Sequence, residues 1–375
     1  MTEIMTETLT EARSGRLVNA HRGRGDGDGG VLAPLVRVTA RAGLDPLAAR
    51  LAEIRRWLGS DLDGLEAALG DAASAQGDLA QRAATHLLGR PGKRIRPVCV
   101  FLAARAAGGQ ADPAVLRELA VACELVHAAT LLHDDVIDQG HERRGAPTAR
   151  VLFGNPASVL GGDHLLVDAL GRVRRCGQDR LLGRLFDVIG EMIAAEALQL
   201  ERRGRFEPDR EVYDRVVHGK TAVLFGWAME AGAVAGGAPA EVAEALARAG
   251  TALGLAFQLV DDALDLEGEA EVTGKDALLD LREGKLTWPL IVACEQDPDL
   301  VEVLRAVALT PETLDDPLRA TELRRRILAT GCVMRTRARA RALVRDAEAA
   351  LDTLAESDAR EALRAVVETA VLRAL

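Results

Sequence analysis

Leu131-Leu132-His133-Asp134-Asp135-Val136-Ile137-Asp138 closes one apolar segment of this chain, and Gln258-Leu259-Val260-Asp261-Asp262-Ala263-Leu264-Asp265 closes another far downstream. One signature, Asp-Asp-x-x-Asp, thus ends two segments. On a helix its first and last Asp lie one turn apart and share a face. Three carboxylates clustered there repel one another, and near a helix C-terminus they also oppose the macrodipole. Something cationic has to neutralise them, and all-oxygen donors of this kind suit Mg²⁺. The duplication predicts two helices facing each other across a cavity, the arrangement from which bundles build metal sites.

Outward from the two motifs the chain predicts helix almost throughout. Of 375 residues, 48% are hydrophobic but only 3% aromatic, so the apolar content is mainly Leu, Ala and Val. Leu and Ala are strong helix formers. Leu47, Leu51, Ile54, Leu58, Leu62 and Leu65 recur at helical spacing between about 44 and 69. Further helical segments are predicted over roughly 73–88, 95–107, 113–138, 148–175, 179–203, 210–235, 239–267, 285–296, 298–308, 320–355 (broken near Gly331) and 358–374. Gly89-Arg90-Pro91-Gly92, Asp112-Pro113, Gly236-Gly237 and Asp297-Pro298 punctuate them. No stretch of useful length alternates like a strand. The expected fold class is all-α, a single-domain helical bundle over 41–375 around a central cavity. Residues 1–40 are expected to form a disordered N-terminal tail, because the stretch through Arg22-Gly23-Arg24-Gly25-Asp26-Gly27-Asp28 has too little apolar surface to order itself.

Composition also narrows the function. A net charge of −10 argues against a general nucleic-acid binder. Cys99, Cys123, Cys176, Cys294 and Cys332 are scattered, form no Cys-x-x-Cys pair, and read as buried small residues of a reducing compartment. No apolar run approaches membrane-spanning length, and the first residues lack a signal-peptide core. A cytoplasmic location is expected.

Basic residues accompany the acidic motifs. Lys93 and Arg96 open a helix after Gly92, Arg143 and Arg144 follow the first motif, Lys220-Thr221 sits within a helix, and Lys275 and Lys285 follow the second motif. For any one of them, an ordinary ion pair on a solvated face is favoured by roughly three to one. Together with the carboxylates they describe a polyanion clamped between metal and cations, and a diphosphate fits.

With these residues assembled, the chain resembles the trans-isoprenyl diphosphate synthases, most closely those making long-chain polyprenyl diphosphates. The resemblance runs from about residue 45 to the C-terminus. It rests on Gly92-Lys93-Arg94-Ile95-Arg96-Pro97, the two acidic motifs, Arg143-Arg144-Gly145, Gly162-Asp163, Glu196 with Gln199, Lys220-Thr221-Ala222 and Glu283-Gly284-Lys285-Leu286-Thr287. It implies the isoprenoid-synthase bundle, a homodimer, and head-to-tail condensation of isopentenyl diphosphate with an allylic diphosphate. It further implies three Mg²⁺ ions, two held by Asp134 and Asp138 with Asp135 nearby, and a third by Asp261 assisted by Asp262 and Asp265. Arg143, Lys220 and Lys275 would complete the clamp on the allylic diphosphate, with Lys285 also in the substrate site. Thr221 and Gln258 would shield the allylic cation, and Lys93, Arg96, His127 and Arg144 would grip isopentenyl diphosphate. Alone, His127 reads as a core histidine by about two to one; its place in the family pattern reverses that preference.

The resemblance also speaks to product length. Short-chain relatives carry a bulky aromatic four or five residues before the first Asp, where this chain has Thr130 and Ala129. Small side chains leave a tunnel in which each added isoprene unit gains burial. The expected product is therefore all-trans and longer than four units, and Ala129→Phe is expected to shorten it. Product release would involve peripheral membrane contact at most. Departures from the family pattern are Asp276 and Leu278 where Pro and Gly are usual, Pro91 and Ala195 for Gly, and Trp288 for Leu. The alternatives are a farnesyl or geranylgeranyl diphosphate synthase, a class I terpene cyclase, or a non-catalytic subunit of a heteromeric synthase. A cyclase mixes Asn, Ser or Thr and Glu in its second motif, and a non-catalytic partner commonly loses its acidic motifs. Both are intact here.

Overall fold

The computed structural model describes residues 31–41, 43–73, 77–90, 92–108, 110–143, 145–268 and 278–372. Among them the chain is all-α apart from one two-residue hairpin, Glu142–Arg143 against Ala146–Pro147. The helices are α1 Ala33–Arg41, α2 Asp45–Trp57, α3 Gly59–Ala73, α4 Leu79–Leu88, α5 Ile95–Ala106, α6 Pro113–Ile137, α7 Ala149–Phe153, α8 Asn155–Arg175, α9 Asp179–Arg202, α10 Arg210–Val217, α11 Val223–Ala235 and α12 Ala240–Glu267. Helices at Leu279–Arg282, Trp288–Gln296, Leu300–Leu309, Pro317–Ala329, Cys332–Leu351 and Asp358–Leu372 complete the described chain.

The expected boundary at residue 41 moves. The described residues already include Val31 and Leu32, which (5% and 0% exposed) bury into the main core and lead into α1. Residues 1–30, and the expectation of a tail there, lie outside the described residues. The segment expected to run from 44 to 69 divides at Leu58, which ends α2. The segment expected at 210–235 is interrupted by a π-helical turn, His218–Ala222. Such turns concentrate at functional sites.

α11 buries nearly every residue from Val223 to Ala233, as a helix at the centre of a bundle must. Its close partner is α12. A Cβ added to Gly254 would lie 2.6 Å from the Ala222 Cα, and one on Gly250 would lie 2.4 Å from the Phe225 carbonyl oxygen. These glycines let the backbones approach, which brings the Lys220-Thr221 turn alongside the end of α12.

Local chemistry fixes both acidic helix ends. α6 starts where the Asp112 side chain accepts the Ala114 N–H at 2.8 Å, with Pro113 at its first position. It stops at Asp138, beyond which Gln139 turns left-handed at φ 54°. The Arg150 guanidinium then donates to the Gln139 carbonyl at 2.7 Å. At the end of α12, Arg324 donates to the Leu266 and Glu267 carbonyls at 2.6 and 2.7 Å, and Arg337 pairs with Glu267. Arg324 thereby satisfies two orphan carbonyls, and both guanidiniums offset the macrodipole that the second acidic motif opposes. Leu278 is left-handed (φ 67°), yet only 1% exposed in the second apolar cluster. Left-handed backbone favours glycine, which accounts for the usual Gly at this place; burial of the leucine side chain offsets the strain here.

Candidate active site

The two motifs open onto one cavity of about 1430 Å³. Asp134 and Thr130 reach it from α6, and Gln258, Asp261 and Asp262 from α12. Lys220 and Thr221 reach it from the π-turn, and Lys93, Arg96, His127, Arg143 and Lys285 also line it. Most of the expected site residues are thus brought together. Arg144 and Lys275, with Asp276, lie outside the described residues.

Around the first motif the carboxylates meet cations. Arg143, carried by the hairpin, donates to Asp135 at 2.8 Å. The turn of that hairpin needs Gly145, whose φ is 70°. Asp138 is gripped by Arg203 and, at 2.8 Å, by Lys285, which also pairs with Glu283 at 2.6 Å. Burial opposes ionisation of Asp138, but Lys285 and Arg203 outweigh it and hold the carboxyl below its ordinary value. Burial likewise disfavours the Lys285 ammonium, but Glu283 and Asp138 more than reverse this and raise its pKa. Asp134 has no such grip. Burial pushes it up to about 6 against the pull of Lys220, and Glu196 and Asp138 add to the rise. Lys220 pairs with Glu196 and donates to the Gln199 Oε1 at 2.7 Å.

In the second motif the described donors to Asp262 and Asp265 are neutral. Asp262, 3% exposed, accepts the Tyr213 O–H at 2.6 Å and the Trp288 N–H at 3.4 Å on Oδ2. Its Oδ1 accepts from the Gln258 Nε2 at 2.9 Å. Gln258 in turn accepts the Thr221 hydroxyl on Oε1 at 3.0 Å. Burial, with Asp280 nearby, pushes Asp262 up to about 7 despite these bonds. Asp265 accepts the Leu279 N–H at 3.1 Å, and burial together with Asp280 pushes it up to about 8.

The expected site residues differ in how they are held. Asp262, expected to assist in holding metal, has both carboxylate oxygens committed to protein donors. Asp135 is similarly buried and held by Arg143. Of the two chain-length positions, Thr130 lines the cavity while Ala129 is fully buried. Ala129 shares the α6 face of Leu132 and His133, which meet α8: Ser158 donates to the Leu132 carbonyl at 2.8 Å, and the His133 ring occupies the space a Cβ on Gly162 would need. Arg96 stacks over the Phe225 ring at 4.4 Å. The neighbouring Arg94 instead braces the loop through Glu66 and Glu124 at 3.0 and 2.5 Å.

Sequence reasoning missed Arg203 and Tyr213. Arg203 closes α9 with no motif around it, although its side chain and the Gly204 N–H to Gly284 carbonyl bond (3.0 Å) tie together the first motif and the Lys285 loop. Tyr213 had one available signal: it is the chain's single tyrosine.

The donor set suits a divalent cation. Among the described residues no three acidic, His or Cys side chains converge on one metal position as they stand, because Asp135 and Asp138 turn to Arg143, Arg203 and Lys285. The half-buried Asp134 carboxyl, crowded by Glu196 and Asp138, nevertheless calls for positive charge beside it. Asp134 and Asp261, facing one cavity, would hold it, with Asp138 recruited from its cation partners.

A family model described as polyprenyl synthetase matches residues 78–319. The chain is 34% identical to the octaprenyl diphosphate synthase of Escherichia coli over 327 residues, 86% of this chain and 99% of that one. It is 37% identical to heptaprenyl diphosphate synthase component 2 of Geobacillus stearothermophilus over 265 residues, 70% of this chain and 81% of that one. Among solved structures, a polyprenyl synthase from Caulobacter crescentus complexed with calcium and isoprenyl diphosphate superposes with a TM-score of 0.80. The two are 36% identical, covering 86% of this chain and 97% of that one. A decaprenyl diphosphate synthase from Rhodobacter capsulatus gives a TM-score of 0.79 at 32% identity, covering 86% and 99%. Two acidic helix ends and their basic partners around one cavity, matched across most of the chain, make this protein a prenyltransferase that belongs to the polyprenyl synthetase family.

Proposed function

We propose that the protein condenses isopentenyl diphosphate head-to-tail with an allylic diphosphate, in the presence of Mg²⁺, to give a long all-trans polyprenyl diphosphate. One observation carries this reading: Asp134 and Asp261 face the same cavity as Lys220, Thr221 and Gln258. Three Mg²⁺ ions are proposed, held by Asp134 and Asp138 on one side and by Asp261 on the other, with Asp265 at the edge of the site. The chemistry supplied by bound Mg²⁺ is electrophilic stabilisation of the departing pyrophosphate. Arg143 and Lys220 fix the allylic diphosphate, with Lys275 and Lys285 on the closing side. Thr221 and Gln258 present oxygen dipoles to the allylic carbocation and offer no nucleophile that would trap it. Lys93, Arg96, His127 and Arg144 hold isopentenyl diphosphate so that its double bond meets the cation. Thr130 leaves the cavity open below the first motif, which supports a product beyond four isoprene units.

A homodimer is also proposed. Phe186, Ile193 and Leu200 recur every seven residues along α9 and are 55%, 65% and 41% exposed, while Leu160 and Val167 repeat the pattern on α8 at 53% and 70%. Such a stripe calls for a covering partner. A relative named as component 2 of a synthase makes a heteromer the second reading. No described helix is long and apolar enough to cross a membrane.

The test is to incubate the purified protein with Mg²⁺, isopentenyl diphosphate and labelled allylic starters, and to size the products. Elongation beyond twenty carbons is expected. No elongation of any starter would overturn the reading, and a cyclised hydrocarbon would replace it with a cyclase. Activity of the protein alone as a dimer would dismiss the heteromer.

A further inference from the structure

Tyr213 is the only tyrosine in a chain with few aromatic residues, and it is spent on the second acidic motif. It lines the cavity wall, 6% exposed, and donates to the Asp262 Oδ2 at 2.6 Å. Its ring packs on Trp288 with centroids 5.4 Å apart, and the Trp288 N–H donates to the same Asp262 oxygen at 3.4 Å. Arg339 covers the Trp288 ring at 3.6 Å. Asp262 is therefore held from two directions on one oxygen.

The other oxygen decides the orientation of Gln258. A side-chain amide has a donor end and an acceptor end, and nothing in its shape determines which end faces where. With the Tyr213 hydroxyl and the Trp288 backbone N–H both donating to Oδ2, Asp262 presents Oδ1 as the acceptor for the NH₂ end of Gln258, at 2.9 Å. The Gln258 carbonyl is thereby forced to the opposite side, toward Thr221 and the cavity, where it accepts the Thr221 hydroxyl at 3.0 Å. Reversal of the amide would aim N–H groups, with their partial positive charge, at a forming carbocation.

We infer that Tyr213, clamped by Trp288, is a positioning residue that works through Asp262 to keep the Gln258 carbonyl facing the reacting carbon. Asp262 then serves this chain of hydrogen bonds rather than the metal, although it stands inside the acidic signature. The inference rests on the reading of Gln258 and Thr221 as dipoles facing the allylic cation. It separates the middle Asp of the signature from its neighbour Asp261 by function.

A double-mutant cycle tests it. Tyr213→Phe keeps the ring on Trp288 and removes only the hydroxyl. It is expected to lower kcat by about tenfold, the scale of one hydrogen bond to a charged group. KM for both diphosphates should stay within about twofold. In a Gln258→Leu background, which has no amide to orient, Tyr213→Phe should cost nothing further. Calorimetric titration of Mg²⁺ with an unreactive allylic thiolodiphosphate should give the same metal dependence for Tyr213→Phe and Asp262→Asn as for the unaltered protein. An equal loss of kcat in both backgrounds, or a shifted metal dependence in either variant, would overturn the inference. If Tyr213→Phe does not fold, Asp262→Asn in the presence and absence of Gln258→Leu repeats the cycle. Failure of the unaltered protein to elongate would instead overturn the proposed function, so the two failures are distinguishable.

Discussion

The two acidic motifs have one sequence pattern and unlike surroundings. At the end of α6 the partners are cations: Arg143 for Asp135, Arg203 and Lys285 for Asp138. At the end of α12 they are neutral: Tyr213, Gln258 and the Trp288 N–H for Asp262, and the Leu279 N–H for Asp265. The middle Asp is buried in both, 2% and 3% exposed. A signature repeated twice therefore divides its labour inside each copy. The first Asp faces the cavity, and the middle one braces the wall.

The difference is sharpest at the positions that face the cavity. Asp134→Asn and Asp261→Asn are each expected to lower kcat by about 10³-fold, the scale of losing a metal-held contact to the departing group. Asp135→Asn should cost less, through misplacement of Arg143. Steady-state rates at saturating Mg²⁺ make the comparison, and equal losses at Asp134 and Asp135 would erase it.

Next in size is the latch across the mouth. Arg203→Gln leaves Asp138 to Lys285 alone and loosens the Lys285 loop, and about tenfold weaker binding of the allylic diphosphate is expected, measurable by calorimetry. The donors described for Asp262 and Asp265 are neutral, so removing one of them should affect this binding less. Product length responds at Thr130, where Phe would project into the cavity and shorten the chain on sizing of the products. Ala129→Phe is expected to shorten it as well, but with a stability loss of about 1–3 kcal/mol from overpacking the face toward α8.

The smallest effect is a pH dependence, larger at the second motif than at the first, where burial raises Asp134 to about 6. Asp262 and Asp265 are pushed up to about 7 and about 8 by burial, with Asp280 adding to the rise, against about 3.9 in an unfolded chain. In that window the folded state binds more protons, so the metal-free protein should gain stability as pH falls from about 8 to about 5. Asp138, held low by its cations, contributes with the opposite sign, and only at more acid pH. Thermal unfolding across this range should show the rise, and Asp265→Asn should flatten it.

Much of this was legible in the sequence, for definable reasons. The helices carry their own periodicity and their own punctuation, so Asp112-Pro113 before α6 and Gly236-Gly237 before α12 mark real starts. Lys93, Arg96 and Lys220 stood out because cations beside paired carboxylates describe a polyanion site, and the structure places them, with Thr221, on one cavity. What escaped depends on three dimensions. Arg203 stands 65 residues from its partner Asp138, and no local pattern records that meeting. Asp262 reads as a ligand from its place in the signature; only the packing of Tyr213, Gln258 and Trp288 reveals that its oxygens are occupied. The burial of Val31 and Leu32 in the main core escaped because two apolar residues alone carry no periodicity.

The central claim is that two helix ends hold one diphosphate through divalent cations. Its most direct test is calorimetric titration of an unreactive allylic thiolodiphosphate into the protein with and without Mg²⁺, repeated for Asp134→Asn and Asp261→Asn. Tight binding that requires Mg²⁺ and is lost in each variant is predicted. Equal binding without Mg²⁺, or undiminished binding in either variant, would contradict it.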